Sequence, residues 1–255
     1  MKSRKIPPRV LWGLLALALL ALLAAGRLAL AAAGLWHFTS PGKEYPVWGV
    51  DVSEYQGRVD WQALQGQGVR FAFIRATEGS GWQDEQFAAN WQGARQAGIP
   101  AGAYHFFSFD SPADTQADNF LAALDGQPGQ LPPVVDIELY GDYKQSPPDA
   151  ERGLPQLEEL LERLEQADGR KPILYTTRTA YRLYLQDNLP EYQVWIRDIL
   201  KKPRLEDGRN WLFWQYTGRG RLEGYAGEEK FIDLNVFGGG EEDWQSYLES
   251  CRAAG

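Results

Sequence analysis

Short apolar runs alternate with amphipathic stretches along most of the chain. From residue 47 onward, runs rich in Val, Ile, Phe, Tyr and Trp recur, and each of the first five precedes a segment with helical periodicity. This alternation is typical of βα units whose strands lie side by side and parallel. The pattern predicts eight strands, at 47–52, 70–76, 100–107, 132–139, 172–176, 192–197, 211–216 and 231–237.

The predicted helices lie between the early strands and are missing after the sixth strand. The clearest is a stripe of five leucines from Leu154 to Leu164, which Gly169 ends. Residues 198–210 and 217–230 are rich in Gly, Lys and Arg and lack this periodicity, so five βα units are followed by three strands. Further helices are predicted at 60–67, through Phe87, Trp91 and Ala94 to Gly98, from an N-cap at Ser111 with Pro112 in the first turn to Leu124, and at 178–187.

The N-terminal segment has the pattern of an export signal. A cationic start from Lys2 to Arg9 precedes an apolar run at 10–25, and after Arg27 a second apolar patch ends near Trp36. Two fates stay open, because alanines at 29 and 31 form a cleavage motif, whereas both patches together exceed the roughly 20 residues that span a bilayer. An uncleaved segment would keep its cationic flank inside and the rest of the chain outside.

These features divide the chain into four parts. We predict a signal peptide or membrane signal-anchor at 1–37, a linker at 38–46, one barrel domain at 47–238 and a C-terminal tail at 239–255 that forms a short helix. If the first part is retained, residues 10–36 would anchor the protein in the membrane. The expected location is extracytoplasmic, in the periplasm or at the cell surface, either anchored to the inner membrane or secreted.

Charge and residue usage exclude several classes of function. The formal net charge is −8, and since the first 37 residues hold five cations and no acid, the remainder carries 21 cations against 34 acids, a net charge of −13. This balance argues against nucleic acid as a partner. With two histidines and the single Cys251, the chain offers no His/Cys metal cluster and no internal disulfide. We therefore expect no metal ion and no other cofactor.

Carboxylates at the ends of predicted strands are the candidate catalytic residues, because active sites of α/β barrels lie at the C-terminal ends of the strands. Asp136 and Glu138 stand two apart on one strand and therefore point to the same face. Proximity of like charge raises the pKa of one of them, as a general acid requires, and the longer Glu138 is favoured for that role. A structural ion pair with Arg75 or Arg197 is the alternative for any single acid. The four candidates are Asp51, Asp136, Glu138 and Asp233.

Aromatic residues are abundant near the same strand ends, where their faces could stack on sugar rings. His105 alternates with Tyr104 on its strand and is predicted to be structural, and Glu78 and Asp110 are expected to be structural or peripheral. Core packing is the alternative for about half of the aromatic residues. The predicted substrate-binding residues are Tyr104, Tyr175, Trp195, Trp214, Gln215 and Tyr216.

Six motifs in this order resemble glycoside hydrolase family 25, the Chalaropsis-type lysozymes. The resemblance covers essentially 47–238 and implies a modified TIM-type (β/α)5(β)3 barrel of the α/β class, in agreement with the eight strands that the pattern predicts. One departure is Arg197, where many relatives have a small residue, and it puts local subsite contacts in question. The motifs are GVDVSEYQGRVDW (49–61), FAFIRATEG (71–79), AGAYHFF (101–107), VVDIE (134–138), FWQYT (213–217) and IDLNVF (232–237).

The resemblance also implies an activity. It implies a muramidase that hydrolyses the β-1,4 bond after N-acetylmuramic acid in peptidoglycan glycan strands, with no protein partner expected. Glu138 would be the general acid and Asp136 would orient the acetamido group of the sugar, which acts as nucleophile in a recognised exception to the two-carboxylate scheme. Asp51 and Asp233 would flank the site.

Two other functions stay open on the sequence alone. A chitinase-like hydrolase also uses a D-x-E strand, but Val134 stands where its signature has a further aspartate. A glycan-binding module without catalysis would keep the fold, although all four expected acids are present.

Overall fold

Eight strands form one closed barrel in the computed structural model, which describes residues 7–33 and 41–254. Pairing follows the order β1-β9-β8-β7-β6-β5-β4-β2, and a further pairing of β1 with β2 closes the ring. The short β3 extends the barrel at β2 as a hairpin. The strands are β1 (Trp48–Val52), β2 (Ala72–Glu78), β3 (Trp82–Gln83), β4 (Ala101–Phe106), β5 (Val134–Ile137), β6 (Ile173–Thr177), β7 (Val194–Arg197), β8 (Phe213–Gly220) and β9 (Ile232–Phe237).

The strand directions confirm five βα units followed by three strands. All neighbouring barrel strands from β1 to β8 pair in parallel, whereas β9 is antiparallel to both β8 and β1. Because β9 runs backwards, its N-terminal end lies beside the C-terminal ends of the other strands. The helices are α1 (Pro8–Ala32), α2 (Trp61–Gly66), α3 (Phe87–Gln96), α4 (Ala113–Leu124), α5 (Ala150–Asp168), α6 (Arg178–Ala180, continued by a π-helical turn at Tyr181–Leu185) and α7 (Glu241–Ala254).

Side chains alternate between the barrel interior and the layer beneath the helices. On β5, Val135 and Ile137 pack outward in the main apolar core, whereas Val134 belongs to a separate cluster inside the barrel. The period of two then places Asp136 on the inner side as well. The sequence of one strand thus serves both core layers and the site.

Aromatic rings fill the barrel toward the N-terminal ends of its parallel strands. Phe73 of β2 stacks on Trp195 of β7, with ring centroids 4.4 Å apart. Gly102 of β4 makes room for this layer, because a Cβ there would lie 2.9 Å from the Phe73 ring. At this end of the barrel, the ring of Trp244 from α7 packs on that of Phe237, with centroids 5.2 Å apart, and closes the barrel. A filled interior of this kind supports a site above it and leaves no pore.

Two helices show where sequence signals succeed and fail. The predicted leucine stripe of α5 is confirmed, since Leu157 and Leu164 are buried and Gly169 ends the helix with a positive φ of 78°. The predicted N-cap at Ser111 is wrong: α4 begins at Ala113, and Pro112 occupies the N-cap position without a side-chain hydrogen bond. Proline at N-cap supplies the extended backbone that the entry to the helix needs.

The N-terminal helix α1 is long and apolar enough to cross a membrane, over Arg9–Ala32. Its large apolar side chains are exposed, as those of a membrane span or export signal would be. The predicted linker at 38–46 falls partly on residues 34–40, which lie outside the described residues. Beyond them, Tyr45 packs against Trp211 of the barrel, with ring centroids 5.2 Å apart.

Candidate active site

A cavity of about 780 Å³ opens at the C-terminal ends of the parallel strands, where the sequence predicted the site. All four predicted acids line it, and they come from three different strands and the residue after β5. The lining includes Asp51, Tyr55, Arg75, Tyr104, Asp136, Glu138, Lys144, Tyr175, Trp195, Arg197, Gln215, Gly218 and Asp233. Long-range β pairing therefore assembles acids that are separated by up to 182 residues in the sequence.

Asp136 of β5 and Glu138, the residue after β5, share one environment in this cavity. Asp136 is 6% exposed and Glu138 is half-buried. Burial raises the pKa of Asp136 well above its usual range, and the neighbouring charge of Glu138 raises it further. Burial also raises the pKa of Glu138, which the positive charge of Arg197 opposes. Both directions favour a proton held by this pair, which is the form that a general acid requires.

Asp51 and Asp233 face each other across the pairing of β1 with β9. Burial raises the pKa of both carboxyls. A hydrogen bond between the two carboxyls lowers the pKa of Asp51 and raises that of Asp233. Gln215 Nε2 and Asn235 Nδ2 also donate to Asp51 Oδ1, at 2.9 and 2.7 Å. Asp51 is thus an oriented, hydrogen-bonded acceptor.

A buried layer beneath the acids fixes these two amides. Tyr175 donates from its hydroxyl to Gln215 Oε1 at 2.9 Å, and Trp195 Nε1 donates to Asn235 Oδ1 at 2.8 Å. Each amide therefore has its oxygen occupied from below and its nitrogen directed at Asp51. Because the Trp195 indole can only donate, it fixes the orientation of the Asn235 amide, and the Tyr175 hydroxyl supports the corresponding orientation of Gln215.

Two arginines extend into the cavity from opposite sides of the barrel. Arg75 of β2 forms an ion pair with Glu78 and lies over the Trp82 ring, 4.4 Å from its centroid. Arg197 stands at the end of β7 and opposes the raised pKa values of Glu138 and Asp233. Their charges make it possible to bury several carboxylates in one cavity.

Four of the six predicted substrate-binding residues line the cavity: Tyr104, Tyr175, Trp195 and Gln215. Trp214 is 1% exposed and donates from Nε1 to the Asp198 carbonyl, and Tyr216 packs against the outer core. These two do not reach the cavity because they alternate with Gln215 on β8 and therefore point outward. Trp195 and Tyr175 are themselves nearly buried, so they contribute mostly as floor.

The three residues predicted to be structural or peripheral do not line the cavity: His105, Glu78 and Asp110. His105 is fully buried, with Nδ1 2.7 Å from Thr77 Oγ1 and Nε2 3.0 Å from Gln116 Oε1. Burial lowers its pKa to about 4, so the imidazole is neutral at physiological pH. Asp110 accepts hydrogen bonds from two tyrosine hydroxyls beside the cavity, including that of Tyr140 at 3.3 Å.

Sequence reasoning missed Asn235 and Lys144. Asn235 follows Asp233 by two residues on β9, so the strand period that paired Asp136 with Glu138 would have identified it. Lys144 lies on a 3-10 turn at Gly141–Lys144 and carries no pattern of its own.

Residues 50–225 match the pattern that defines Glycosyl hydrolases family 25. This match covers more than half of the chain and includes three of the four acids in the cavity. The chain therefore belongs to glycosyl hydrolase family 25 and is a glycosidase with that family's barrel fold.

Individual relatives agree with this assignment. The chain is similar to the uncharacterized protein YegX of Escherichia coli (strain K12), with 36% identity over 213 residues, 82% of this chain and 75% of that protein. It is similar to lysozyme M1 of Streptomyces globisporus, with 31% identity over 215 residues, 78% of this chain and 70% of that protein. A solved family 25 glycosyl hydrolase from Bacillus anthracis has a TM-score of 0.75 and 46% identity, covering 83% of this chain and 97% of that one.

Proposed function

We propose that the protein is a lysozyme-type peptidoglycan hydrolase that cleaves the β-1,4 bond between N-acetylmuramic acid and N-acetylglucosamine. The observation that carries this proposal is the placement of Asp136 and Glu138 together in an open cavity at the strand ends of a family 25 barrel. The similarity to lysozyme M1 supports the choice of substrate. The four acids favour catalysis over a binding module that only retains the fold.

In the first step, Glu138 donates its proton to the glycosidic oxygen while the bond from that oxygen to the anomeric carbon breaks. The acetamido oxygen of the same sugar forms the new bond to the anomeric carbon, so no protein atom becomes attached. In the second step, the oxygen of a water molecule bonds to the anomeric carbon, the bond from the acetamido oxygen to that carbon breaks, and the ionised Glu138 takes a proton from the water and is restored. The raised pKa of Glu138 suits the first half of this cycle.

Asp136 is suited to orient the acetamido group. Its Oδ1 is buried and has no hydrogen-bond partner among the residues that the structure describes. An acceptor of this kind can take the acetamido N–H of the substrate and, when ionised, stabilise the positive charge that develops at the reacting ring. Asp51 and Asp233 would bind hydroxyl or amide groups at the neighbouring position.

The steps use carboxyl and acetamido groups alone, so the proposal includes no metal ion or cofactor. Tyr104 lines the cavity and is half-buried, so we propose that its ring contacts a sugar, whereas Tyr175 supports the site from its floor. We place the barrel outside the cytoplasm, with α1 as either an export signal or an anchor, because α1 is apolar and comes after a cationic N-terminus.

The test is the digestion of purified peptidoglycan followed by mass spectrometry of the fragments. Cleavage at the proposed bond leaves N-acetylmuramic acid at the new reducing end. Proton NMR of the first product should show the β anomer, because two displacements at one carbon retain configuration. Fragments that end in reducing N-acetylglucosamine would contradict the proposed bond, and an initial α anomer would contradict the acetamido mechanism.

A further inference from the structure

The two arginines of the cavity differ in what holds them. Arg75 is fixed by Glu78 and by the ring of Trp82. The side chain of Arg197 forms no salt bridge and no hydrogen bond with any residue in the described part of the chain. It is half-buried, so its five N–H donors point into a cavity where only solvent or a ligand can satisfy them.

Arg197 stands directly above the floor of the site. It lies two residues after Trp195 on β7, so both side chains point into the barrel. In the sheet it pairs beside Thr177 of β6 and Gln215 of β8. Its charge lowers the pKa of Glu138 and also those of Asp51 and Asp233, so the guanidinium lies among the acids of the cavity.

Lys144 adds a second positive charge near Glu138. It is exposed, lines the same cavity and also opposes the raised pKa of Glu138. Like Arg197, it forms no ion pair with the residues that the structure describes. Arg197 and Lys144 are thus cations that line the cavity and form no salt bridge with the described residues, so they are free to bind an anionic group on the ligand.

We infer that Arg197, assisted by Lys144, binds the free lactyl carboxylate of N-acetylmuramic acid, and that the enzyme selects glycan strands without stem peptides. This inference rests on the proposed function. Of the two sugars in the strand, only N-acetylmuramic acid carries a carboxyl group, and a planar guanidinium matches a carboxylate through two parallel hydrogen bonds. When a stem peptide is attached, the same carboxyl is an uncharged amide.

The depth of Arg197 favours the lactyl group over the carboxylates of a stem peptide. The side chain starts at the last residue of β7, inside the cavity that holds Asp136 and Glu138. Its ligand must therefore lie close to the sugar ring, whereas stem carboxylates lie several bonds farther out. Free lactyl carboxylates arise when the amide bond between the lactyl group and the first amino acid is hydrolysed. The enzyme would then act after an amidase of that class.

The experiment compares three forms of one glycan preparation: peptide-bearing strands, strands freed of peptide, and freed strands whose lactyl carboxyls are converted to methylamides. For the wild-type protein, we expect kcat/KM to be roughly tenfold or more higher on free carboxylates than on methylamides. Arg197→Gln should lower kcat/KM on free carboxylates by roughly tenfold to a hundredfold, mainly through KM. On methylamides the same variant should stay within about threefold of wild type. On free carboxylates, kcat/KM of Arg197→Lys should lie between the values of the wild type and Arg197→Gln. Lysine keeps the positive charge but cannot donate the two parallel hydrogen bonds of a guanidinium.

A matched control removes a cation outside the cavity. Arg182 is exposed on the turn after α6 and pairs with Glu206, so Arg182→Gln should leave all three rates unchanged. An equal loss by Arg197→Gln on free and methylamide strands would overturn the inference, since Arg197 would then act on the enzyme's own carboxyls. Equal wild-type rates on these two strands would overturn it too, and they decide the matter if the variant does not fold. Failure of the wild-type protein to cleave any of the three contradicts the proposed function itself.

Discussion

At the scale of single residues, Asp136 has a buried carboxyl whose Oδ1 finds no hydrogen-bond partner within 7–33 and 41–254. Burial and the charge of Glu138 raise its pKa in the folded protein, so between its ordinary pKa and the raised one the native state holds more protons than the unfolded chain. The stabilising contribution of this group is therefore complete at pH values below its ordinary pKa. It is lost as the pH rises through the raised pKa.

Asp136→Asn should separate activity from stability. The amide cannot ionise, so we expect the free energy of unfolding at pH 8 to increase by roughly 0.5–2 kcal/mol, with little gain at pH 4. Turnover should fall by roughly a hundredfold or more, because the acetamido group and the developing charge lose their partner. Urea unfolding at both pH values measures the first effect. The exposed Asp142→Asn is the control, and an equal gain at both pH values would contradict the explanation.

Glu138→Gln tests the general acid. Glutamine keeps the shape of the side chain and cannot donate the required proton, so we expect kcat to fall by roughly 10²–10⁴-fold with the fold unchanged. In the wild-type protein, kcat should fall as the pH rises through the raised pKa of Glu138, since the ionised acid has no proton to give. Steady-state rates from pH 4 to 9 measure both. Glu159→Gln, on the exposed face of α5, should behave as wild type, and a Glu138→Gln variant within about tenfold of wild type would exclude Glu138 as the acid.

At the scale of elements, most of what the sequence predicts about the site follows from the alternation of side chains along each strand, which has a period of two. It located the inward pair on β5 correctly, and it also explains why Trp214 and Tyr216 miss the cavity while Gln215 reaches it. Proximity to a strand end was the wrong criterion for those two aromatic residues, because a side chain reaches the cavity only when it points into the barrel. The amides that orient Asp51 meet it only through pairings of distant strands.

Other features depend on tertiary packing that no local pattern records. Strand β9 pairs antiparallel with both β1 and β8, and this reversed direction brings Asp233 beside Asp51. The position of α7 beneath the barrel depends on Trp244, which packs against Phe71 just before β2, Phe213 of β8 and Phe237 of β9. A sequence can mark such residues as apolar, but it does not say which cavity they fill.

Trp244→Ala should destabilise the barrel without changing its chemistry. The ring is 1% exposed and packs against Phe71 and Phe237 at the end of the barrel away from the acids. Loss of a large buried aromatic side chain costs about 3–5 kcal/mol, and each kcal/mol lowers Tm by roughly 2–4 °C in a domain of this size. Thermal unfolding followed by circular dichroism measures the shift. Gln245→Ala, exposed on the same helix, should have a small effect, and a lower kcat for folded Trp244→Ala at 20 °C would contradict the separation.

At the scale of the whole molecule, the chain joins an apolar helix to an acidic barrel with an open polar cavity. Lys2, Arg4 and Lys5 precede α1, Arg9 lies in its first turn, and the barrel comes after it. A helix with this charge asymmetry keeps its basic flank in the cytoplasm and places the C-terminal part of the chain on the other side of the membrane. In this proposed topology, the barrel lies on the same side of the membrane as its proposed substrate.

We therefore expect the barrel to face outward when the full chain is expressed in bacteria. Protease added to intact spheroplasts should digest the barrel and spare a cytoplasmic marker protein, whether α1 is retained or cleaved. N-terminal sequencing of the membrane and soluble fractions separates those two fates: an intact start in the membrane fraction means an anchor, and a start after residue 31 in the soluble fraction means a cleaved signal. A variant without residues 2–33 should stay in the cytoplasm and resist the protease. A full-length chain in the soluble cytoplasmic fraction, with its first residues intact, would show that α1 neither exports nor anchors the protein.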